Sequence, residues 1–209
     1  MQDSLELCGP TAAHGGPLHD CHGRNIAISN KGCVARRVAS YNQGHGASAQ
    51  PLRAGQLFEV RIERLLPCWS SSLMVGVCRL SPERASSLPV SALGLRRAAW
   101  YIASDAVFHN GVKVRSRYGV DLDTLSSGHL VGVMVDAQAR LHLYVNGADQ
   151  GVAAAPVSTP CHALLDLYGQ CVQVSVCQSD GAVEEWPSAD PLRRLHGAER
   201  ALPTWRPPS

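Results

Sequence analysis

Residues 130–153 read LVGVMVDAQARLHLYVNGADQGVA, and the way this stretch alternates decides the fold. Leu141, Leu143 and Val145 are separated by His142 and Tyr144, so a side-chain period of two gathers the apolar set on one face of a half-buried strand. Asn146-Gly147 tolerates the positive φ that a tight hairpin turn needs, and the chain should reverse there. Upstream, the nearly continuous apolar run of residues 130–135 reaches the next strand through residues 136–140. Two hairpins in series are therefore predicted, a three-strand meander against which the rest of the chain packs.

The same chemistry recurs on either side. Ile26 and Ile28 alternate with small residues, Asn30-Lys31-Gly32 makes a turn, and residues 33–38 run back as an opening hairpin. Residues 56–65 place Phe58, Val60 and Ile62 on one face and Glu59, Arg61 and Glu63 on the other, which is expected to be a solvated face. Leu73, Val75 and Val77, with Gly76 and Cys78 between them, suit a strand buried on both faces or closely approached by another backbone. Residues 81–95, rich in Ser and Pro, read as a long connection with one helical turn. Residues 99–103 and 107–114 return to strand chemistry, with Asn110-Gly111 as a second hairpin signal. Residues 162–167 and 171–176 are expected to form a closing hairpin, with Val172, Val174 and Val176 pointing one way. Roughly ten short strands at this spacing, with no long helical period, predict an all-β sandwich or barrel.

Composition narrows the class. At 209 residues one core suffices, and a formal net charge of +2 with scattered cations carries no footprint for nucleic acid or an anionic membrane. No apolar run approaches the ~20 residues of a membrane span. Eight cysteines, no signal-peptide layout and no glycosylation sequon point to reduced thiols in the cytosol or nucleus rather than a disulfide scaffold. Residues 1–21, without periodicity, read as a flexible leader, and residues 179–209, rich in Pro, as a tail that is mostly disordered or a docking segment. Within the tail, residues 191–202 could form a short helix capped by Asp190.

Chemistry is sparse. The nucleophile elbow, the zinc helix, the P-loop and the dinucleotide turn are all absent, and no C-x-x-C pair accompanies Cys8, His14, His19, Cys21 and His22. Cys161-His162 with Asp166 offers the residue types of a thiol nucleophile, but adjacent strand residues face opposite ways. Asp121 and Asp123 read as a solvated loop rather than a catalytic pair or a calcium site. Neither catalysis nor a cofactor is expected. The stretch that stands out is residues 35–44, ARRVASYNQG: of Arg36 and Arg37, one must aim inward. Either it packs against a buried carboxylate such as Asp166, or it joins Tyr41, Asn42 and Gln43 in a recognition surface of the residue types that anchor interfaces.

The run NIAISNKGCVARRVASYNQG (25–44) resembles the opening of a neuralized homology repeat. In the same order follow VFHNGVK (107–113), NG with DQGV (146–152) and LDLYGQC (165–171), so that the resemblance covers about residues 22–176 and a domain over 22–178. Within the family the stretch is most similar to the repeats of its multi-repeat member. The resemblance implies a two-sheet antiparallel β-sandwich related to the SPRY type and a non-catalytic protein-binding module that acts as an adaptor or scaffold in ubiquitin-ligase pathways. It implies a protein or peptide partner, ligase components among the candidates, and a cytoplasmic setting with the centrosome as a candidate station. Many members add a zinc RING, which needs C-x-x-C pairs that this sequence lacks. Two rival readings remain: a non-RING subunit of a ubiquitin ligase assembled in trans through the tail, and a carbohydrate-binding sandwich, against which the 5% aromatic content speaks. The sequence departs from the family in two ways. His45-Gly46-Ala47 stand where bulky apolar residues are usual, so a weak or frayed strand is expected there. The chain also carries one repeat where the multi-repeat member carries several, as a fragment, an isoform or a divergent stand-alone copy would.

Overall fold

The computed structural model describes residues 14–67, 70–79, 91–95 and 99–178. The expected C-terminal tail, with its short helix, lies outside the described residues. The opening hairpin is β1 (Ile26–Ser29) and β2 (Val34–Arg37), turned at Asn30, Lys31 and Gly32 with φ of 49°, 51° and 87°. Then follow β3 (His45–Ala47), β4 (Leu57–Leu65), β5 (Met74–Cys78), β6 (Ala99–Ala103), β7 (Ala106–His109) and β8 (Val112–Arg115). The meander stands as expected in β9 (Leu130–Val135), β10 (Leu141–Val145) and β11 (Ala148–Ala154), and the described strands end with β12 (His162–Asp166) and β13 (Cys171–Val176). Asn146 and Gly147 sit at φ 50° and 78°, the left-handed region that the Asn-Gly signal requires.

All pairings between these strands are antiparallel, and they form two sheets, β1-β2-β13-β4-β9-β10-β11 and β3-β12-β5-β6-β7-β8. The main core lies between them, where Phe58, Val60, Ile62, Val131, Val133, Leu141 and Leu143 of the first sheet meet Val75, Val77, Ile102, Val107 and Leu165 of the second. This is the predicted sandwich. Thirteen strands in the described residues exceed the expected ten, partly because strands as short as β3 leave no periodic signal.

Several expectations are corrected. Residues 162–167 and 171–176 do not pair as a hairpin, because β12 lies between β3 and β5 in one sheet while β13 lies between β2 and β4 in the other. Residues 163–166 are buried on both faces, as a central strand of the second sheet requires, whereas β13 alternates and leaves one face half-exposed. The corner between them is pinned on Ser71: Gln170 N–H donates to Ser71 O at 2.6 Å, and Gly169 approaches that carbonyl so closely that a Cβ would stand 1.8 Å from it. The strand expected to fray, β3, is wholly buried and pairs with β12, its small Gly46 and Ala47 fitting where Ile26 and Leu18 come close. On β4 the supposedly solvated Glu59 is only 5% exposed, while Arg61 and Glu63 do face solvent. Burial raises the Glu59 pKa, partly offset by the nearby His14.

Gly76 of β5 behaves as its setting predicts. A Cβ there would lie 2.1 Å from Trp100 O, so only glycine lets β5 and β6 approach as they do. The second sheet also carries a smaller apolar cluster on its other face, where Met74, Cys78, Ala99, Tyr101 and Leu164 are covered by Ala92 and Leu95. Ala92–Gly94 is the expected helical turn, a 3-10 turn, and most of its long connection lies outside the described residues. Residues 14–21, read from sequence as leader, are packed: Leu18 is 3% exposed and belongs to the main core.

Candidate functional site

The arginine pair divides as strand geometry demands. Arg36, opposite Ala27, is exposed, and Arg37, opposite Ile26, is 8% exposed. Arg37 Nη1 donates to Leu167 O at 3.4 Å, and its charge faces Asp166. Asp166 has no exposed surface, and its Oδ2 accepts the Ala92 N–H at 2.7 Å. Burial pushes its carboxyl up to about 7 against the opposing pull of the Ala92 N–H and the Arg37 guanidinium. Arg37 thus packs against the interior beside the carboxylate named from sequence, and its side chain also reaches a surface groove.

That groove, of about 370 Å³, is lined by Arg37, Val38, Ala39, Ser40, Tyr41, Leu66 and Val172. The loop on one side is held by Asn25, whose Nδ2 donates to Asn42 O at 2.6 Å and whose N–H donates to Gln43 O at 3.2 Å. Val38 N–H in turn donates to Asn25 O at 2.9 Å, so one asparagine ties both limbs of the loop. Gln43 takes φ 57°, and Gly44 O accepts from Leu167 N. Tyr41 meets Tyr168 edge to face with centroids 5.4 Å apart, a preferred aromatic geometry.

Of the residues singled out from sequence, Arg37 and Tyr41 line the groove, while Asn42 and Gln43 brace the loop behind it through their carbonyls. Arg36 is exposed on β2 and does not line it. Sequence reading missed Val38, Leu66 and Val172. Val38 is 59% exposed, an apolar residue left facing water. Val172 was expected to share a face with Val174 and Val176, but the β13–β4 register shifts between Cys171 and Val174. Val174 and Val176 stay in the core while Val172 lines the groove. A bulge of this kind leaves no mark in an alternating pattern.

The other chemical candidates resolve into structure. Cys161 is buried, and burial pushes its thiol up to about 11, the reverse of thiolate activation. His162 Nδ1 lies 2.8 Å from Ser48 O. Among the described residues no group of three or more His, Cys, Asp or Glu is arranged to hold a metal ion. Asp121 and Asp123, both partly exposed, also hold structure: Asp121 Oδ1 caps the 3-10 turn Leu122–Thr124 by accepting Asp123 N–H at 3.0 Å, and Asp123 ties that turn to Ser72, ahead of β5.

Comparison with known proteins gives a consistent picture. The family model described as Neuralized matches residues 18–178. Mouse neuralized-like protein 2 is 25% identical over 235 residues, covering 85% of this chain and 81% of the relative. Human E3 ubiquitin-protein ligase NEURL3 is 27% identical over 157 residues, covering 72% of this chain and 54% of the ligase. Among solved structures, the crystal structure of the Drosophila melanogaster neuralized NHR1 domain has a TM-score of 0.64 at 22% identity, covering 78% of this chain and 98% of that domain. The SPRY domain of human HERC1 has a TM-score of 0.58 at 17% identity, covering 79% of this chain and 99% of that domain.

Proposed function

The chain belongs to the Neuralized family, and from that premise we propose that it is a non-catalytic module that binds a partner protein through an extended segment, working as an adaptor or scaffold in ubiquitin ligation. The observation that carries this reading is the groove beside Arg37, where Val38 and Tyr41 of a loop braced at both limbs line one concavity with Leu66 and Val172. A rigid sandwich that holds such a loop loses little freedom on binding, which favours affinity. The link to ubiquitin rests on the similarity to human NEURL3, named as an E3 ubiquitin-protein ligase.

The test is affinity capture with the full chain beside two groove variants, Val172→Glu and Val38→Asp, each first shown folded by circular dichroism and thermal melt. Val38 is mostly exposed, so its variant keeps the test informative should the Val172 variant fail to fold. A partner retained by wild type should be lost from both folded variants, with affinity reduced about tenfold or more. Identical capture by all three proteins would remove the groove from the binding surface. The Arg36→Ala variant examines the exposed face of β2 in the same experiment.

The similarity to NEURL3 also favours a second reading, a non-RING subunit of a ligase assembled in trans. Deleting residues 180–209 distinguishes the two: loss of ligase co-capture with partner binding intact supports recruitment by the tail. A cytoplasmic place, with the centrosome as a station, goes with either reading and is checked by imaging the tagged chain.

A further inference from the structure

Across the Tyr41–Tyr168 contact from the groove lies a second concavity, a cleft of about 190 Å³ that Tyr168 also lines. It sits between the start of β5, the β6–β7 turn and the 3-10 turn Leu122–Thr124. One wall is apolar, made by Met74, Ala103, Phe108 and Tyr168. Phe108 is stacked on the buried Tyr101, with centroids 5.1 Å apart and planes within 6° of parallel.

Another part of the lining is acidic and held in place. Asp123 Oδ1 accepts the Ser72 N–H at 2.7 Å, its Oδ2 accepts the Ser104 hydroxyl, and its main-chain carbonyl accepts Gln170 Nε2 at 2.8 Å. Asp105 also lines the cleft. Among the described residues neither carboxylate has a cation within 4 Å, the ion pairs there being made by Asp136 and Asp149. Ser72 is 2% exposed and lines the cleft, and among the described residues its Oγ has no hydrogen-bond partner. A buried hydroxyl left unsatisfied is unfavourable, and Ser72 lines the cleft from which a donor would satisfy it. Among the described residues of the lining the cation is Lys113, whose Nζ lies 5.8 Å from the Phe108 centroid, so the aromatic wall already attracts positive charge.

We propose that this cleft receives the guanidinium of an arginine side chain carried by the extended partner segment that docks in the neighbouring groove. The inference rests on the reading of the chain as a protein-binding module and adds the chemistry of its partner. The arginine stem lies along Met74, Phe108 and Tyr168, and the planar fork donates to the unused lone pairs of Asp123 and to Ser72 Oγ. An anionic group would meet Asp105 and Asp123, and a purely apolar one would leave Ser72 unsatisfied. Lysine brings the charge without the fork, and so binds more weakly. Lys113 repels an incoming cation, which fixes the sign of its effect.

The test uses the 15N-labelled full chain titrated with N-acetyl-arginine methylamide, its neutral citrulline isostere, and the lysine and glutamate analogues. Saturable shifts at the amides of Ser72, Ser104, Asp105 and Asp123 are expected with the arginine probe, with citrulline about tenfold weaker. Asp105→Asn should weaken binding by roughly threefold, and Lys113→Gln should tighten it by a similar factor. Asp105 is chosen because Asp123 also holds Ser72, Ser104 and Gln170 in place. No saturable shift, equal binding of citrulline, preference for the glutamate probe, or weaker binding on Lys113→Gln would each overturn the proposal. The probe binds without any partner protein, so its failure is distinct from failure of the groove, which the Val172 and Val38 variants report.

Discussion

Asp166 concentrates the electrostatics of the site in one residue. Its carboxyl is fully buried and raised to about 7, well above its value in the unfolded chain, so the native state holds a proton that the unfolded state releases from about pH 4 upward. Its contribution to stability is full below that pH and is lost as the pH rises through about 7. With a difference of about three units at about 1.4 kcal/mol each, the loss is on the order of 4 kcal/mol. Asp166→Asn keeps an acceptor for the Ala92 N–H and removes the titration. Its unfolding free energy, followed by urea denaturation from pH 4 to 8, should therefore fall less steeply than wild type. A variant with the wild-type slope would place the pH dependence elsewhere. Period two made it legible that one arginine of the pair must turn inward. Which one turns inward is decided by register against β1 and by the carboxylate on β12, and neither is written in residues 35–44 themselves.

The crossing from β12 to β13 replaces the closing hairpin expected of residues 162–176. Tyr168-Gly169-Gln170 resembles a tight reversal, yet it carries the chain from one sheet to the other. Gly169 has φ 52°, and its Cα stands so near Ser71 that any side chain must displace backbone. Gly169→Ala should lower stability by roughly 2–4 kcal/mol, seen as a reduced urea midpoint with an unchanged m value. A loss near zero would show that Ser71 yields easily. β10 and β11 were legible because the sequence alternation over residues 141–145 and the positive φ of Asn146-Gly147 leave local signatures. β12 was legible as a strand but its place between β3 and β5 was not, because burial on both faces erases the alternation that tells one sheet from the other. The groove was only partly legible for a related reason: Tyr41 and Arg37 could be named, but Val172 reaches the groove through a bulge.

At the scale of the whole molecule, the sandwich is closed along one side by a strap that sequence reading placed in a leader. Gly15 N–H donates to Leu57 O on the first sheet, while His19 N–H donates to Ala47 O and Leu18 bridges Ser48 on the second. Between these ties Leu18 N–H meets Gly32 O, and its side chain fills the core beside Ile26. The family match begins at residue 18, with the strap rather than after it. Without period or turn signals, Gly, Pro and His over residues 14–21 look like linker, because the strap is held by backbone hydrogen bonds and one leucine rather than by a strand pattern. A chain begun at residue 22 should lose these bonds and expose a Leu-sized void, a loss of roughly 3–5 kcal/mol, whereas one begun at residue 14 keeps every contact named here. Leu18→Ala in the full chain should reproduce most of it, about 2–4 kcal/mol, since the hydrogen bonds survive. Thermal melts of the three proteins separate the contributions. Equal stability of the chains begun at 14 and 22 would mean that the strap decorates a sandwich already closed, and the domain would then begin where the sequence pattern first placed it.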